Sequence, residues 1–176
     1  MKIIDYKLYS KKVEKLNDRY WLKSKDVRWN YMIPVIETIK EINPKTSVEL
    51  GTYKISLMDF SDSIALEKET VDPDNLTNKV FIFDASKTPW EIKDKEYDLF
   101  VALQVLEHLG PNQKMVFQEI KRICNYAIIS LPYKWNCPDD LEHHMIDDDK
   151  ISIWTDNLEP IKKQIKSGRI ILTFKF

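Results

Sequence analysis

Apolar positions along the chain recur with two different periods. Through the first 42 residues they fall at helical spacing. Val13, Leu16 and Tyr20 sit among Leu8, Lys11, Lys12 and Lys15, and Met32, Val35, Ile36, Ile39 and Ile42 repeat at three- and four-residue steps. This predicts helix up to Ile42, with Pro34 in the first turn of a helix starting at Tyr31 and Asn43-Pro44 as the stop. Beyond residue 46, short continuous apolar runs take over. Ser47–Gly51, Ser63–Leu66, Lys79–Phe83, Tyr97–Leu103, Tyr126–Ser130 and Arg169–Phe174 read as strands. Ile55–Phe60 has room only for a stub of helix. Asn112 is placed to cap a helix whose stripe is Val116, Ile120, Ile123 and Cys124. Near-continuous apolar strands separated by helices predict an α/β fold, a mostly parallel sheet covered on both faces.

Composition narrows what such a sheet can do. The 176 residues make one domain, and 43% hydrophobic content is enough for a core. Lys+Arg 27 against Asp+Glu 28 leaves a net charge of −1, which argues against nucleic acid and anionic membrane as partners. No apolar run approaches the roughly 20 residues needed to span a bilayer. The start, Met1-Lys2-Ile3-Ile4-Asp5, becomes charged too early for a signal peptide. Cys124 and Cys137 fit no metal or redox spacing, so the expected setting is a reduced cytoplasm. With Gly 3, a glycine-rich phosphate cradle is excluded. Charge is uneven: residues 137–160 hold eight Asp/Glu and only Lys150, a stretch expected either to face solvent or to lie near a bound cation or cationic cofactor.

Ligands of parallel sheets bind beyond the carboxyl ends of the strands. There the sequence places Glu49–Thr52, Glu67, Asp84, Gln104–His108 and Leu131–Tyr133. Four segments resemble, in order, class I S-adenosylmethionine-dependent methyltransferases: Val48-Glu49-Leu50-Gly51; Asp84-Ala85 with Thr88-Pro89-Trp90; Tyr97-Asp98-Leu99-Phe100-Val101-Ala102-Leu103-Gln104-Val105-Leu106-Glu107-His108-Leu109; and Phe117-Gln118-Glu119-Ile120-Lys121-Arg122. The resemblance covers roughly residues 45 to 133. It implies a Rossmann-like three-layer sandwich, compact and partly truncated, because Thr52-Tyr53-Lys54 follow Gly51 where the family has further glycines and a full helix. Residues 1–44 would then be N-terminal helices, 45–133 the cofactor-binding core and 134–176 the acceptor side with the last strand. The implied cofactor is S-adenosylmethionine, which carries no phosphate and needs close backbone approach and acidic acceptors. The resemblance assigns it Glu49, Gly51, Thr52, Glu67 (or Asp62 as the ribose acceptor), Asp84, Ala85, Gln104 and Val105. Tyr20, Trp21, Arg28, Trp29 and Tyr31 are expected to cover the cofactor or the acceptor, or else to be core.

The "[DN]-P-P-[FY]" signature of many nitrogen-directed relatives is missing after strand four, so oxygen is the expected methyl acceptor. A hydroxyl needs a base or a metal to become nucleophilic. His143, His144 and His108 are the catalytic candidates. Glu107, His108 and His144 are the candidate ligands of a divalent metal, after the "E-x-x-E-H" pattern of metal-using O-methyltransferases, with Gln104 in place of the first acid. The expected acceptor is a small molecule or a sugar or glycan precursor, from the acidic segment around Trp135 and Trp154. Two other readings remain open: a non-catalytic methyltransferase-like module, and an RNA 2′-O-methyltransferase.

Overall fold

The computed structural model describes residues 2–53, 55–59, 63–68 and 79–176. Two helices come first. Asp5 caps α1 (Tyr6–Leu16) by accepting from the Leu8 amide, and Asn17 closes it in the left-handed conformation. Asp18 then caps α2 (Arg19–Ile42) on the amides of Tyr20 and Trp21, and Asn43 ends it the same way. Pro34 does not start a helix, as the pattern predicts, but lies inside this one 24-residue element. The missing Pro34 N–H costs one rung. Burial of Tyr31 and Met32 before Pro34 and of Val35, Ile36 and Ile39 after it outweighs that loss.

The strands are β1 (Lys2–Ile3), β2 (Ser47–Leu50), β3 (Met58–Asp59), β4 (Ser63–Glu67), β5 (Lys79–Ile82), β6 (Tyr97–Leu103), β7 (Cys124–Pro132), β8 (Lys162–Lys166) and β9 (Arg169–Lys175). Seven of them form one sheet in the order β5-β4-β2-β6-β7-β9-β8. The first five of that order run parallel, and β9 is antiparallel to both β7 and β8. Side chains alternate between two cores, as strand geometry requires. Leu99, Val101, Ile128 and Ile171 meet α1 and α2, while Phe100, Ala102, Ile129 and Leu172 meet α3 (Gln113–Ile123) and α4 (Asp148–Trp154). The result is the three-layer, mostly parallel α/β sandwich that the sequence predicts.

Two local predictions are corrected. Cys124 opens β7 instead of extending the stripe of α3, and Asn112 stands at the N-cap position of α3 without a side-chain cap bond. The segment after β2 makes no stub of helix at residues 55–59. It runs extended into β3, which pairs antiparallel with β1. The cause is Glu49, whose buried carboxylate accepts from the amides of Leu57 (2.9 Å) and Met58 (3.0 Å) and pulls the chain straight.

Candidate functional site

The carboxyl ends of β2 and β6 open into a cavity of about 430 Å³. That is in the range of small-molecule sites, roughly 300–1,000 Å³. Its floor is Glu49–Thr52 with Val101, Leu103 and Gln104, its roof is α2, and its far wall is Trp135, His143 and Arg169. Gly51 sits at φ +68°, and a Cβ there would come within 2.6 Å of Val105 Cγ2. Only glycine lets the turn after β2 lie this close to the turn after β6. Gln104 also has positive φ (60°), and its side-chain amide donates to Ser130 Oγ at 3.2 Å.

The predicted cofactor residues fall into three groups. Glu49, Gly51, Thr52 and Gln104 line the cavity. Glu49 is fully enclosed, and burial pushes its carboxyl up to about 7. Its oxygens are occupied by the loop after β2. Glu67, Asp84, Ala85 and Val105 lie outside the cavity wall. Glu67 is buried and takes the Thr52 hydroxyl, so it braces the same turn from behind, and burial raises its pKa. Asp84 accepts from the amide and hydroxyl of Ser86, which hold its pKa down, and pairs with Lys87 at 3.6 Å. Ala85 is buried and offers its carbonyl to Trp90 Nε1. Asp62 lies outside the described residues.

Of the aromatic residues in α2, Tyr20, Trp21 and Tyr31 face the cavity together with Arg28. Trp21 stacks on Tyr53 with centroids 5.8 Å apart, which joins the roof to the glycine turn. Trp29 does not take part; it packs between Tyr6 and Tyr9 in the helical layer. Trp135 belongs to the cavity, whereas Trp154 packs on the core beneath α3.

The histidines converge only in part. His108 and His143 lie on the cavity wall with ring centroids 4.8 Å apart. His144 turns away, its Nδ1 accepting from the Cys137 amide. Glu107, His108 and His143 bring their ligand atoms within 4.8 Å of one another, so the carboxylate–imidazole cluster contains His143 where the sequence suggested His144. Glu107 is 2% exposed and neither carboxylate oxygen has a hydrogen-bond partner among the described residues. Burial pushes it up to about 8. An orphaned buried carboxyl beside two imidazoles is a donor set that fits a divalent cation. Nδ1 of His108 faces Glu142 and Nδ1 of His143 faces Asp140, each at 2.7 Å. Those carboxylates orient the rings and leave each Nε2 for a further partner. Glu142 is among the acids that the sequence sets beside the histidines, with Asp147, Asp148 and Asp149; Asp140, in the same acidic segment, was not singled out. Arg169, which the strand pattern alone did not mark, is a second addition.

Residues 44–126 match the family model of a methyltransferase domain. No curated protein matches the chain. Similar solved structures include the methyltransferase domain of a bacterial CtHen1 (14% identity, 85% of this chain and 100% of that one, TM-score 0.59). A second is a SAM-dependent methyltransferase of Thermotoga maritima described as a possible histamine N-methyltransferase (12% identity, 93% and 98% covered, TM-score 0.62). A third is the N-methyltransferase NodS of Bradyrhizobium japonicum (10% identity, 82% and 96% covered, TM-score 0.54).

Proposed function

We propose that this chain is a class I S-adenosylmethionine-dependent methyltransferase and that it methylates a hydroxyl oxygen of a small molecule, a sugar or glycan precursor being the favoured class. The observation that carries this reading is the pair His108 and His143 on the wall of the cavity above Gly51 and Gln104, with the buried Glu107 carboxyl clustered against them. S-adenosylmethionine, when bound, supplies an electrophilic methyl group. The chain supplies the rest. Gly51 and Gln104 shape the turn against which the cofactor lies. The aromatic roof of Tyr20, Trp21 and Tyr31, with Trp135, offers faces to an apolar or sugar acceptor.

His143 is the base we assign. Its Nδ1 partner Asp140 fixes the ring and stabilises the imidazolium formed when Nε2 takes the hydroxyl proton. Glu107, His108 and His143 would together hold a divalent cation if the enzyme uses one, and the chemistry supplied there is polarisation of the acceptor hydroxyl. Among the cofactor residues, Glu49, Gly51, Thr52 and Gln104 are assigned by their place on the cavity. Glu67, Asp84, Ala85 and Val105 are assigned to the adenosine side by the family resemblance.

Nitrogen methylation is the competing reading, motivated by one structural neighbour described as an N-methyltransferase and another described as a possible one. The test is a tritiated methyl-transfer screen against hydroxylated and amine acceptors, with cofactor binding titrated separately. Turnover on hydroxyl acceptors that falls about 10²–10⁴-fold in His143→Ala while cofactor affinity holds is the expected result. Exclusive N-methylated products would overturn the oxygen assignment. Failure to bind S-adenosylhomocysteine at all would leave a non-catalytic module. Loss of activity with a chelator, restored by a divalent cation, separates the metal route from simple base catalysis.

A further inference from the structure

The cavity contains two of the chain's four arginines, in a protein whose other cationic side chains are overwhelmingly lysine. Among the described residues, neither has a carboxylate at ion-pair distance. Arg169 enters from the start of β9. Its guanidinium lies between the rings of Tyr31 (5.0 Å) and Trp135 (4.9 Å), and its one hydrogen bond among the described residues runs from Nη1 to the Ser167 carbonyl at 2.7 Å. Nε is buried with no partner, and burial lowers its pKa. Arg28 enters from α2. It lies over Trp21 (4.2 Å) and Tyr20 (5.1 Å) and, among the described residues, donates only from Nε, to Ser24 Oγ at 3.1 Å. Nη2 of Arg169 and both terminal nitrogens of Arg28 therefore remain open to a ligand.

Stacking on aromatic rings orients both planes and, at Arg169, goes with burial away from water, yet it supplies no hydrogen-bond acceptor. A desolvated guanidinium without an anion is costly, and the cost is offset when an anion arrives. Other charges face the pair as well. Asp18 is spent capping α2, Glu49 is bound to the loop after β2, and Glu107 lies behind the histidines. We propose that Arg28 and Arg169 form a two-guanidinium clamp for an anionic group, a phosphate or carboxylate, on the methyl acceptor. This rests on the methyltransferase reading of the same cavity and narrows its substrate class to acidic small molecules, such as a phosphorylated or uronic sugar. Arg169 shares its wall with Trp135 and His143, so an anion held there leaves a neighbouring hydroxyl of the same molecule near the imidazole. The cofactor's own carboxylate is the other source of this chemistry, and the test separates the two.

Inorganic phosphate is titrated into the full chain by calorimetry, alone, with saturating S-adenosylhomocysteine, and with 5′-methylthioadenosine, which lacks the amino acid carboxylate. Saturable phosphate binding that survives S-adenosylhomocysteine and weakens at least tenfold in Arg169→Met and in Arg28→Met is the expected outcome. Arg28, on a helix and held by one side-chain bond, gives a usable variant even if Arg169→Met fails to fold. Absence of saturable binding overturns the clamp. Displacement of phosphate by S-adenosylhomocysteine but not by methylthioadenosine overturns it too, since the arginines then hold the cofactor. Phosphate bound by a chain that ignores S-adenosylhomocysteine upholds the anion clamp and sinks the methyltransferase reading instead.

Discussion

Glu49 should make the stability of this protein fall as pH rises from about 4.5 to about 7. Its carboxyl is enclosed on β2, and burial lifts its pKa from an ordinary 4.5 to about 7. The hydrogen bonds agree with a neutral acid. Ser56 Oγ lies against Glu49 Oε1 and also 2.9 Å from the Met58 carbonyl. A single hydroxyl proton cannot serve both oxygens, but a protonated Glu49 can donate to Ser56 while Ser56 donates to Met58. Because the folded pKa lies above the unfolded one, the stabilisation is complete below pH 4.5 and is lost as pH rises toward 7. The span of the shift corresponds to about 3 kcal/mol, lost at about 1.4 kcal/mol per pH unit. In Glu49→Gln an amide N–H must face the Leu57 or the Met58 N–H, whichever way the group is turned. That unpaired contact should cost about 1–3 kcal/mol at pH 5. The assay is urea denaturation of both proteins at half-unit steps from pH 5 to 8. The gap between them should shrink by most of 3 kcal/mol across that range, since only the wild type pays for ionisation at the top. A gap that stays constant from pH 5 to 8 would show that Glu49 does not titrate there and would refute the reasoning.

Gly51→Ala combines a positive-φ penalty with a Cβ placed 2.6 Å from Val105 Cγ2, so it should cost about 1–3 kcal/mol in a denaturation curve and weaken S-adenosylhomocysteine binding. Arg122 ties the carbonyls of Trp90 (2.9 Å) and Ile92 (2.6 Å) to Asp94 and Glu119, and Arg122→Met should lose about 2 kcal/mol, read from the same curves. Burial pushes the Cys124 thiol up to about 12, so iodoacetamide at pH 8 should label Cys137 in the native chain and reach Cys124 only after denaturant is added.

The sheet was legible because its inner strands are buried on both faces and so carry uninterrupted apolar runs. β6 spans the residues the pattern predicts, Tyr97 to Leu103. β8 was not legible: Lys162-Lys163-Gln164-Ile165-Lys166 is an edge strand held by pairing with β9 and by lysine contacts to Thr38, Glu41 and Asp148, with no apolar run to reveal it. The extended path after β2 depends on where one buried carboxylate reaches, a tertiary fact that local propensity does not carry. The site was half legible. Strand-end positions found Glu49, Gly51, Gln104 and His108. The choice between His143 and His144 is set by a turn in which both backbone amides donate to the Asp140 carbonyl, and neighbouring residues in such a turn point in different directions. Arg169 was hidden because the first residue of a strand reads as a boundary, whereas here that boundary lies against a cavity built mostly by distant segments.

That dispersal has a consequence for the nascent protein. The cavity's roof is laid down within the first 32 residues, its floor with β2 and β6, and its far wall only with Trp135, His143 and Arg169. A ribosome-bound chain that has released the roof and most of the sheet still lacks the β8–β9 hairpin that seats Arg169 beneath Tyr31. Ligand occupancy therefore cannot assist the early stages of synthesis, and any chaperone-like benefit of the ligand begins only after the β8–β9 hairpin has cleared the exit tunnel. Until then the exposed underside of α2, with Tyr31 and Met32, is the surface that cellular folding factors would meet.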